Sequence, residues 1–457
     1  MLLAGLLVWT SCLSSDDEDY TYHDDTAITS FTLGTLNRVM HTTSASGADS
    51  TYRAKVTGSV YKFYIDQLRA EIYNPDSLPQ GTDAAHVLVT LGTKNSGVVA
   101  LKSMTSDSLS SFSSSDSIDF SQPRVFRVYS NSGTTYRDYT VRVNVHQQDG
   151  DAFSWSLQST QANVANYRHM KAFGIGTSIY LFGGYEGGTE LSVFASDGTA
   201  SVSNALLSAD TWKNVAVKGE KIYLLDNGSL QRIDGSRWER VGNGSSLAQL
   251  IGASSSRLYG LTNEGQIVSS DDEGQTWTIE PIDSDIALLP TEDISCVCLP
   301  LATNSDAERV VMVGNRSLDN YPDDAYAAIW GKIDELNATR THQWMYYTPD
   351  SKNNHLLPRM SGLAVTAQNG NLLAIGGKGV GASDVTAFSH LYESVDGGIS
   401  WYSTQYSLPD DLNVEDVAAL ATDSNNNIWL FCGKSGQVWR GRLNKWGWEQ
   451  QQTIFQE

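Results

Sequence analysis

Hydrophobic and polar residues alternate in short stretches through the first third of this chain, and clusters of Gly, Ser, Asn and Asp separate the stretches. Residues 28–33 and 86–91 show this period of two, which is typical of β-strands because successive side chains point to opposite faces. Two later stretches, 125–129 and 139–145, flank an Asn-Ser-Gly turn and predict a hairpin. The pattern predicts a β-sandwich over residues 26–148.

After residue 148 the pattern becomes a repeat. Each repeat contains an apolar strand, a second strand near a Gly or Asn turn, a third strand and usually a final strand with Trp. The clearest copy covers residues 214–241, with its second strand at 221–225. Equivalent second strands occur at residues 179–184, 257–261, 309–314, 371–377 and 428–433. Repeats of this kind are typical of β-propellers.

The repeats predict a β-propeller over residues 152–457, so the whole chain is expected to be all-β. Six second strands indicate six four-stranded blades. A seven-bladed propeller stays open, because residues 445–448, Lys-Trp-Gly-Trp, already look like a closing strand. The stretch at 153–157 precedes the first full repeat, and we expect it to pair with the last blade and close the ring. The 12 Trp and 21 Tyr against 10 Pro also favour β-structure.

Charge and motif content exclude several classes of partner. The formal net charge of −21 argues against nucleic acid, whose binding requires clustered Lys and Arg. The sequence has no Gly-rich phosphate loop and no His-Glu-x-x-His motif, so we expect no cofactor and no metal. Cys296, Cys298 and Cys432 are expected to be buried residues of strands.

Two segments inside the repeats share an unusual pattern. Both match Ser-x-Asp-x-Gly-x-Thr/Ser-Trp, which resembles the Asp-box of sialidases and related propellers. We expect each Asp to accept hydrogen bonds from its own turn, each Gly to adopt a positive φ and each Trp to pack between blades. The stretch Ile-Tyr-Leu-Phe-Gly-Gly at 179–184 resembles a kelch strand. The Asp-box residues have structural roles and are Ser270, Asp272, Gly274, Trp277, Ser394, Asp396, Gly398 and Trp401.

The first residues of the chain suggest a cellular location. A short apolar run ends in Thr-Ser-Cys12, and an acidic tract follows at 16–19. This arrangement resembles the lipobox of bacterial lipoproteins and the surface-export signal of Bacteroidetes lipoproteins. The resemblance implies a signal peptide at 1–11, acylation of Cys12 and an acidic tether at 12–25. The alternative is that the first residues form a strand of an ordinary soluble protein.

The predicted sandwich resembles the immunoglobulin-like modules that follow the lipid anchor in many such lipoproteins, notably in the closing Tyr-Thr-Val-Arg-Val-Asn-Val at 139–145. The resemblance implies a protein of the outer membrane that faces the outside of the cell. Its contact with the membrane would be through the lipid anchor only.

Ligands of a propeller are expected at the mouth of the central channel, where the loops that enter the innermost strands converge. Those loops contain two arginines, one histidine and four carboxylates, and a further loop carries a tyrosine that we expect to be exposed. An arginine suits a carboxylate on a sugar acid, and paired carboxylates suit general acid and base catalysis. The candidate ligand-binding residues are Arg168, His169, Arg359, Glu292, Asp293, Glu415, Asp416 and Tyr321.

The sequence leaves three functions open. The favoured one is a non-catalytic surface lipoprotein that binds a glycan or protein ligand through its propeller. The alternative is a sialidase-like enzyme or another glycoside hydrolase, which requires Arg168, Arg359 and the carboxylates to meet in one pocket. A sialidase would also need a Tyr nucleophile with a Glu partner. A structural role in an outer-membrane assembly is the third possibility.

Overall fold

The computed structural model describes residues 21–43, 47–336, 342–350, 352–415 and 417–447. The described part of the chain divides into two compact units, with the boundary between Gly150 and Asp151. Secondary structure in both units is almost entirely β. The helical segments are one short α-helix, α1 (Ala162–Ala165), and 3-10 turns at Gly58–Val60, Lys94–Ser96, Thr211–Lys213, Ile286–Leu288 and Asn444–Gly447.

The N-terminal unit contains ten strands. One of the predicted strands, at residues 28–33, has the bounds that the alternation indicated, and the predicted hairpin is present. The strands are β1 (Ile28–Leu33), β2 (Thr35–Thr43), β3 (Asp49–Thr57), β4 (Tyr64–Asp66), β5 (Glu71–Tyr73), β6 (Val89–Thr93), β7 (Val98–Lys102), β8 (Leu109–Ser111), β9 (Arg124–Tyr129) and β10 (Tyr136–Arg142).

These strands form a six-stranded sheet, in the order β4-β5-β10-β9-β7-β8, and two strand pairs, β1-β6 and β2-β3. The hydrophobic core joins the β1-β6 pair to the six-stranded sheet. Phe31 of β1 contacts Phe126 of β9 edge to face, with ring centroids 6.0 Å apart. The apolar side of each alternating strand therefore faces one shared core.

The second unit contains six four-stranded antiparallel sheets, counted over the described residues. The first five sheets follow the chain in order, and each has its four strands in sequence. The first sheet contains β12 (His169–Ile175), β13 (Ser178–Tyr185), β14 (Gly188–Phe194) and β15 (Ala200–Val202), and the second contains β16 (Val215–Lys218), β17 (Lys221–Asp226), β18 (Ser229–Asp234) and β19 (Arg237–Asn243). The third sheet contains β20 (Leu247–Ala253), β21 (Leu258–Thr262), β22 (Ile267–Ser270) and β23 (Thr278–Ile279), and the fourth contains β24 (Glu292–Leu301), β25 (Asn304–Asn315), β26 (Ala328–Glu335) and β27 (Met345–Tyr346). The fifth sheet contains β28 (Ala364–Gln368), β29 (Asn371–Ile375), β30 (Tyr392–Ser394) and β31 (Tyr402–Ser403).

The sixth sheet joins the two ends of the unit. It contains β32 (Ala418–Thr422), β33 (Ile428–Cys432) and β34 (Gln437–Leu443), and its fourth strand is β11 (Phe153–Thr160). Phe153 pairs with Leu443 and Trp155 with Gly441, so the predicted pairing of the stretch 153–157 with the last blade is confirmed.

All six predicted second strands are the second strands of these sheets, namely β13, β17, β21, β25, β29 and β33. The seven-blade alternative relied on a strand at residues 445–448. Asn444–Gly447 instead forms a 3-10 turn, because β34 has already completed the last sheet.

The two Ser-x-Asp turns have the hydrogen bonds that the sequence predicted. The Ser270 hydroxyl donates to Asp272 Oδ1 and accepts from the Gly274 amide, both at 2.7 Å. Gly274 has a φ of 81°, which an L residue rarely adopts. The Trp277 Nε1 donates to the carbonyl of Asn243 in the preceding sheet at 2.9 Å.

The second turn has the same geometry. The Ser394 hydroxyl donates to Asp396 Oδ1 and accepts from the Gly398 amide, both at 2.8 Å, and Gly398 has a φ of 97°. Trp401 is buried in a core cluster with Val311 of the preceding sheet. Both turns therefore attach their own sheet to its neighbour.

Candidate functional site

The first strands of the six sheets surround a cavity of about 680 Å³. Strands β16, β20, β24, β28, β32 and β12 follow one another around it. Each of them contributes to the lining, from Val217 on β16 to Leu420 on β32. Ligand pockets commonly have volumes of about 300–1,000 Å³, so the cavity has the size of a small-ligand site.

One side of the cavity mouth carries a stacked ring pair and two cations. The imidazole of His169 lies parallel to the indole of Trp212, with ring centroids 4.7 Å apart and an angle of 6°. Burial, together with the charges of Lys213 and Arg168, lowers the pKa of His169. Arg168 forms an exposed ion pair with Glu186 at 3.0 Å. Since such pairs are weak, Arg168 remains available to a ligand.

Trp212 and Lys213 were not predicted from the sequence as site residues. They lie in the 3-10 turn just before β16, and Arg168 lies similarly in the segment just before β12. Segments just before innermost strands therefore contribute residues to the cavity lining, as the sequence predicted. A Trp next to a Lys just before an innermost strand is therefore the sequence feature that could have indicated this part of the site.

Two predicted carboxylates, Glu292 and Asp293, also line the cavity. Burial and their mutual repulsion raise the pKa of Glu292, and burial raises the pKa of Asp293. Asp293 has a φ of 52°, and its Oδ2 accepts hydrogen bonds from Asn315 Nδ2 at 3.0 Å and the Gly362 amide at 3.1 Å. Its carboxylate thus joins β25 to the loop before β28.

The interior of the cavity contains an amine and two thiols. Lys171 of β12 and the pair Cys296 and Cys298 of β24 all line it. Burial raises the pKa of Cys296 to about 12, so this thiol is protonated at neutral pH. The Cys298 thiol donates to the carbonyl of Ala253 at 3.0 Å.

The three cysteines differ in their environments. Cys432 is fully buried, as expected. Cys296 and Cys298 lie on a strand and pack against a core cluster, as expected, but they are only partly buried. Being two apart on an innermost strand, both reach the cavity surface that ring closure creates.

Arg359 is not at the cavity surface, contrary to the prediction. Its side chain is 1% exposed, and its guanidinium donates to the carbonyls of Tyr321 and Arg316, both at 2.6 Å. Tyr321 itself is partly buried beneath the Arg316 guanidinium, which lies 3.7 Å from its ring centroid. The expected exposure of Tyr321 is therefore wrong, because the loop 316–327 folds back over Arg359.

The remaining predicted carboxylates do not add to the cavity. Glu415 is exposed, forms an ion pair with Lys434 at 2.8 Å, and is not among the residues that line the cavity. Asp416 and the lipidation candidate Cys12 lie outside the described residues. Of the eight candidate ligand-binding residues, the structure brings together Arg168, His169, Glu292 and Asp293.

A tyrosine hydrogen-bonded to a glutamate does occur, but away from the cavity. The Tyr167 hydroxyl donates to Glu190 Oε1 and lies within hydrogen-bond distance of Asn163 and Ser192. Tyr167 is 4% exposed, and burial raises the pKa of its hydroxyl. The pair therefore connects the segment between α1 and β12 to β14, and neither residue is among those that line the cavity.

The described parts of the chain contain neither a cluster of metal ligands nor a membrane-spanning helix. No group of three or more His, Cys, Asp or Glu side chains there could hold a metal ion. No helix within those residues has the length and apolar character needed to cross a membrane.

A ring of four-stranded sheets around a ligand-sized cavity defines this protein as a β-propeller with an additional N-terminal β unit. Comparison with protein families agrees. The DUF6242 beta propeller domain matches residues 149–451, and the DUF6242 N-terminal domain, a domain of unknown function, matches residues 31–143. The chain belongs to the DUF6242 family.

Solved structures with a similar fold are distant in sequence. A protein of unknown function from Bacteroides thetaiotaomicron is 12% identical, with a TM-score of 0.44 over 83% of this chain and 97% of its own. A carbohydrate-active enzyme of family AA12 from Trichoderma reesei is 12% identical, with a TM-score of 0.40 over 64% and 96%. YCF48 from Cyanidioschyzon merolae is 12% identical, with a TM-score of 0.34 over 63% and 98%. No curated protein matches the sequence.

Proposed function

We propose that this protein is a lipid-anchored protein of the outer cell surface, in which an immunoglobulin-like sandwich carries a six-bladed propeller that binds a glycan without catalysing a reaction. The observation that carries the binding proposal is the mouth of the cavity. There the stacked rings of His169 and Trp212 lie beside the Arg168 guanidinium, at the edge of a ligand-sized cavity.

Aromatic rings and charged side chains at one site suit a sugar. The apolar face of a pyranose packs on an aromatic ring, and its hydroxyl groups need polar partners at the rim. Arg168 and Lys213 offer donors at this rim, and Glu292 offers an acceptor. A concave site favours a small ligand over a folded protein, because protein partners bury about 800 Å² on each side of broader surfaces.

The rest of the proposal follows from local features. The two Ser-x-Asp turns are proposed to be Asp-boxes, since their hydrogen bonds support a folded hairpin. The surface location relies on Cys12 and the acidic tract behind it. Incorporation of labelled palmitate into the wild-type chain, its loss in Cys12→Ala, and protease accessibility on intact cells would test that location. A chain that takes up no lipid would contradict it.

The binding proposal is tested with a glycan array probed by the purified full chain. The strongest hit is then measured by isothermal titration calorimetry with Arg168→Ala and with Arg53→Ala as a control on the N-terminal unit. We expect Arg168→Ala to weaken binding about 10-fold and Arg53→Ala to leave it unchanged. An array without any hit, or equal affinities of the two variants, would contradict a glycan site at this mouth.

A further inference from the structure

Lys171 has a buried amine that forms no hydrogen bond or ion pair with the described residues. It lies on β12, and part of its side chain borders the cavity. Among the described residues, its amine nitrogen is covered by protein and has no hydrogen-bond partner. The ring centroid of Phe173 lies 5.6 Å from the amine. A buried amine without a counter-charge is unfavourable, and proteins usually pair such groups.

The charges around the cavity do not compensate this amine. The cavity lining includes the cations Arg168, Lys171 and Lys213 against the carboxylates Glu292 and Asp293. One of these carboxylates, Asp293, already accepts hydrogen bonds from Asn315 and Gly362. Arg168 and Lys213 form ion pairs with Glu186 and Asp210 outside the lining, at 3.0 Å and 3.3 Å. Among the described residues of the lining, the Lys171 amine is therefore the cationic group without an ion pair, and it favours a negatively charged ligand group.

We infer that the ligand of the cavity is an acidic sugar whose carboxylate pairs with the amine of Lys171, an inference that rests on the proposed function. In the free protein the amine is covered, so pairing requires the lysine side chain to rotate towards the cavity. Its four-carbon stem allows this movement. A lysine amine binds a carboxylate through a charge-assisted hydrogen bond, which is stronger than one between neutral groups. The sugar ring then lies towards His169 and Trp212 at the mouth.

The pairing requires the protonated amine of Lys171, so the affinity for the ligand should depend on pH. Burial lowers the pKa of Lys171 to about 8 in the free protein, and a bound carboxylate would raise it again. Affinity should therefore be constant below pH 8 and fall up to about 10-fold per pH unit above it. The group that interacts with Lys171 electrostatically is the Cys296 thiol, whose pKa is about 12. His169, Glu292 and Asp293 border the same cavity, and the pKa of His169 is lowered from 6.5, away from this range.

The test compares two probes that differ in their acid groups. Digalacturonate and α-1,4-galactobiose are titrated calorimetrically into the full chain, into Lys171→Met and into Lys171→Arg. We expect the wild type to bind digalacturonate at least 10-fold more tightly, Lys171→Met to lose that preference, and Lys171→Arg to retain most of it. The decline above pH 8 should occur in the wild type and be absent in Lys171→Met.

The outcomes separate this inference from the proposed function. Equal affinity for the two probes, or a preference that survives in Lys171→Met, would overturn the carboxylate pairing and leave the glycan site in place. A chain that binds neither probe nor any glycan on the array would overturn both. Circular dichroism of each variant confirms that it is folded.

Discussion

The imidazole of His169 is stacked on the indole of Trp212, with ring centroids 4.7 Å apart and an angle of 6° between the planes. His169 begins the first strand of one sheet, and Trp212 lies in the loop before the first strand of the next. The pair therefore joins two neighbouring sheets at the cavity mouth. Its stacking also shields one face of the imidazole from water, which disfavours the protonated ring.

The titration of His169 tests this environment. Because burial and nearby cations lower its pKa from 6.5, we expect NMR titration to give a value below 6.5. The unfolded chain then binds this proton more readily, so the His169 contribution to stability is lost as the pH falls below about 6.5. Trp212→Ala should move the pKa of His169 upward. A pKa at or above 6.5 in the wild type would contradict the stacked, desolvated geometry.

Lys171→Met should stabilise the protein at pH 7. Burial lowers the Lys171 pKa from 10.5 to about 8, so the folded state carries an unfavourable charge that methionine removes. We expect the free energy of unfolding to rise by about 1–3 kcal/mol. In the wild type, the buried charge lowers the free energy of unfolding by its full amount below pH 8, and this effect disappears as the pH rises from 8 to 10.5. The difference in the free energy of unfolding between Lys171→Met and the wild type should therefore disappear over the same range.

Urea unfolding followed by tryptophan fluorescence measures this difference. The signal mainly reports the propeller, because ten of the 12 Trp residues lie at positions 155–446 and residues 21–150 contain none. Lys213→Met is the control, and it should change stability by less than about 0.5 kcal/mol because its side chain is 39% exposed. A destabilised Lys171→Met would indicate that the amine has a partner in the folded protein.

Arg359→Met should destabilise the propeller. The guanidinium holds the loop 316–327 through the carbonyls of Tyr321 and Arg316, and a methionine leaves both acceptors without these donors. We expect a loss of about 2–4 kcal/mol in the free energy of unfolding. Arg168→Met, which removes an exposed arginine, should cost less than about 0.5 kcal/mol. Equal effects of the two substitutions would contradict the structural role of Arg359.

Two adjacent aspartates provide a matched test of the first Ser-x-Asp turn. Asp272 accepts hydrogen bonds from Ser270 and Thr276, which lower its pKa to about 2, whereas Asp271 is exposed. Asp272→Ala should cost about 1 kcal/mol at pH 7, and Asp271→Ala should cost almost nothing. Because the folded pKa is lowered, the contribution of Asp272 is present above pH 4 and lost as the pH falls towards 2. Thermal unfolding at pH 7 and pH 2 measures both effects, and similar behaviour of the two variants would contradict the turn geometry.

The sequence predicted local structure better than it predicted the site. The second strands, the hairpin at β9 and β10 and the two turns each depend on a few neighbouring residues, so periodicity and turn chemistry were sufficient. Arg359 and Tyr321 depend on how a long loop folds back over its neighbours. No local pattern separates an arginine that faces a cavity from one that binds backbone carbonyls.

The residues inside the cavity could not be predicted from the sequence for a related reason. Lys171 and Cys296 occupy ordinary strand positions, and they meet only because six innermost strands close into a ring. Their shared environment is therefore a property of the closed ring. The sequence predicted the ring but not the direction in which each side chain of its strands points. Arg168 and His169 were found because a loop before an innermost strand has a defined place at the mouth.

Hydrogen–deuterium exchange of the full chain, with and without the glycan selected on the array, tests the central claim most directly. A ligand in the cavity should slow exchange in β12 and β24 and around Trp212, and leave the N-terminal unit unchanged. Protection confined to the N-terminal unit or to the outer strands of the sheets would contradict a ligand site in the propeller cavity.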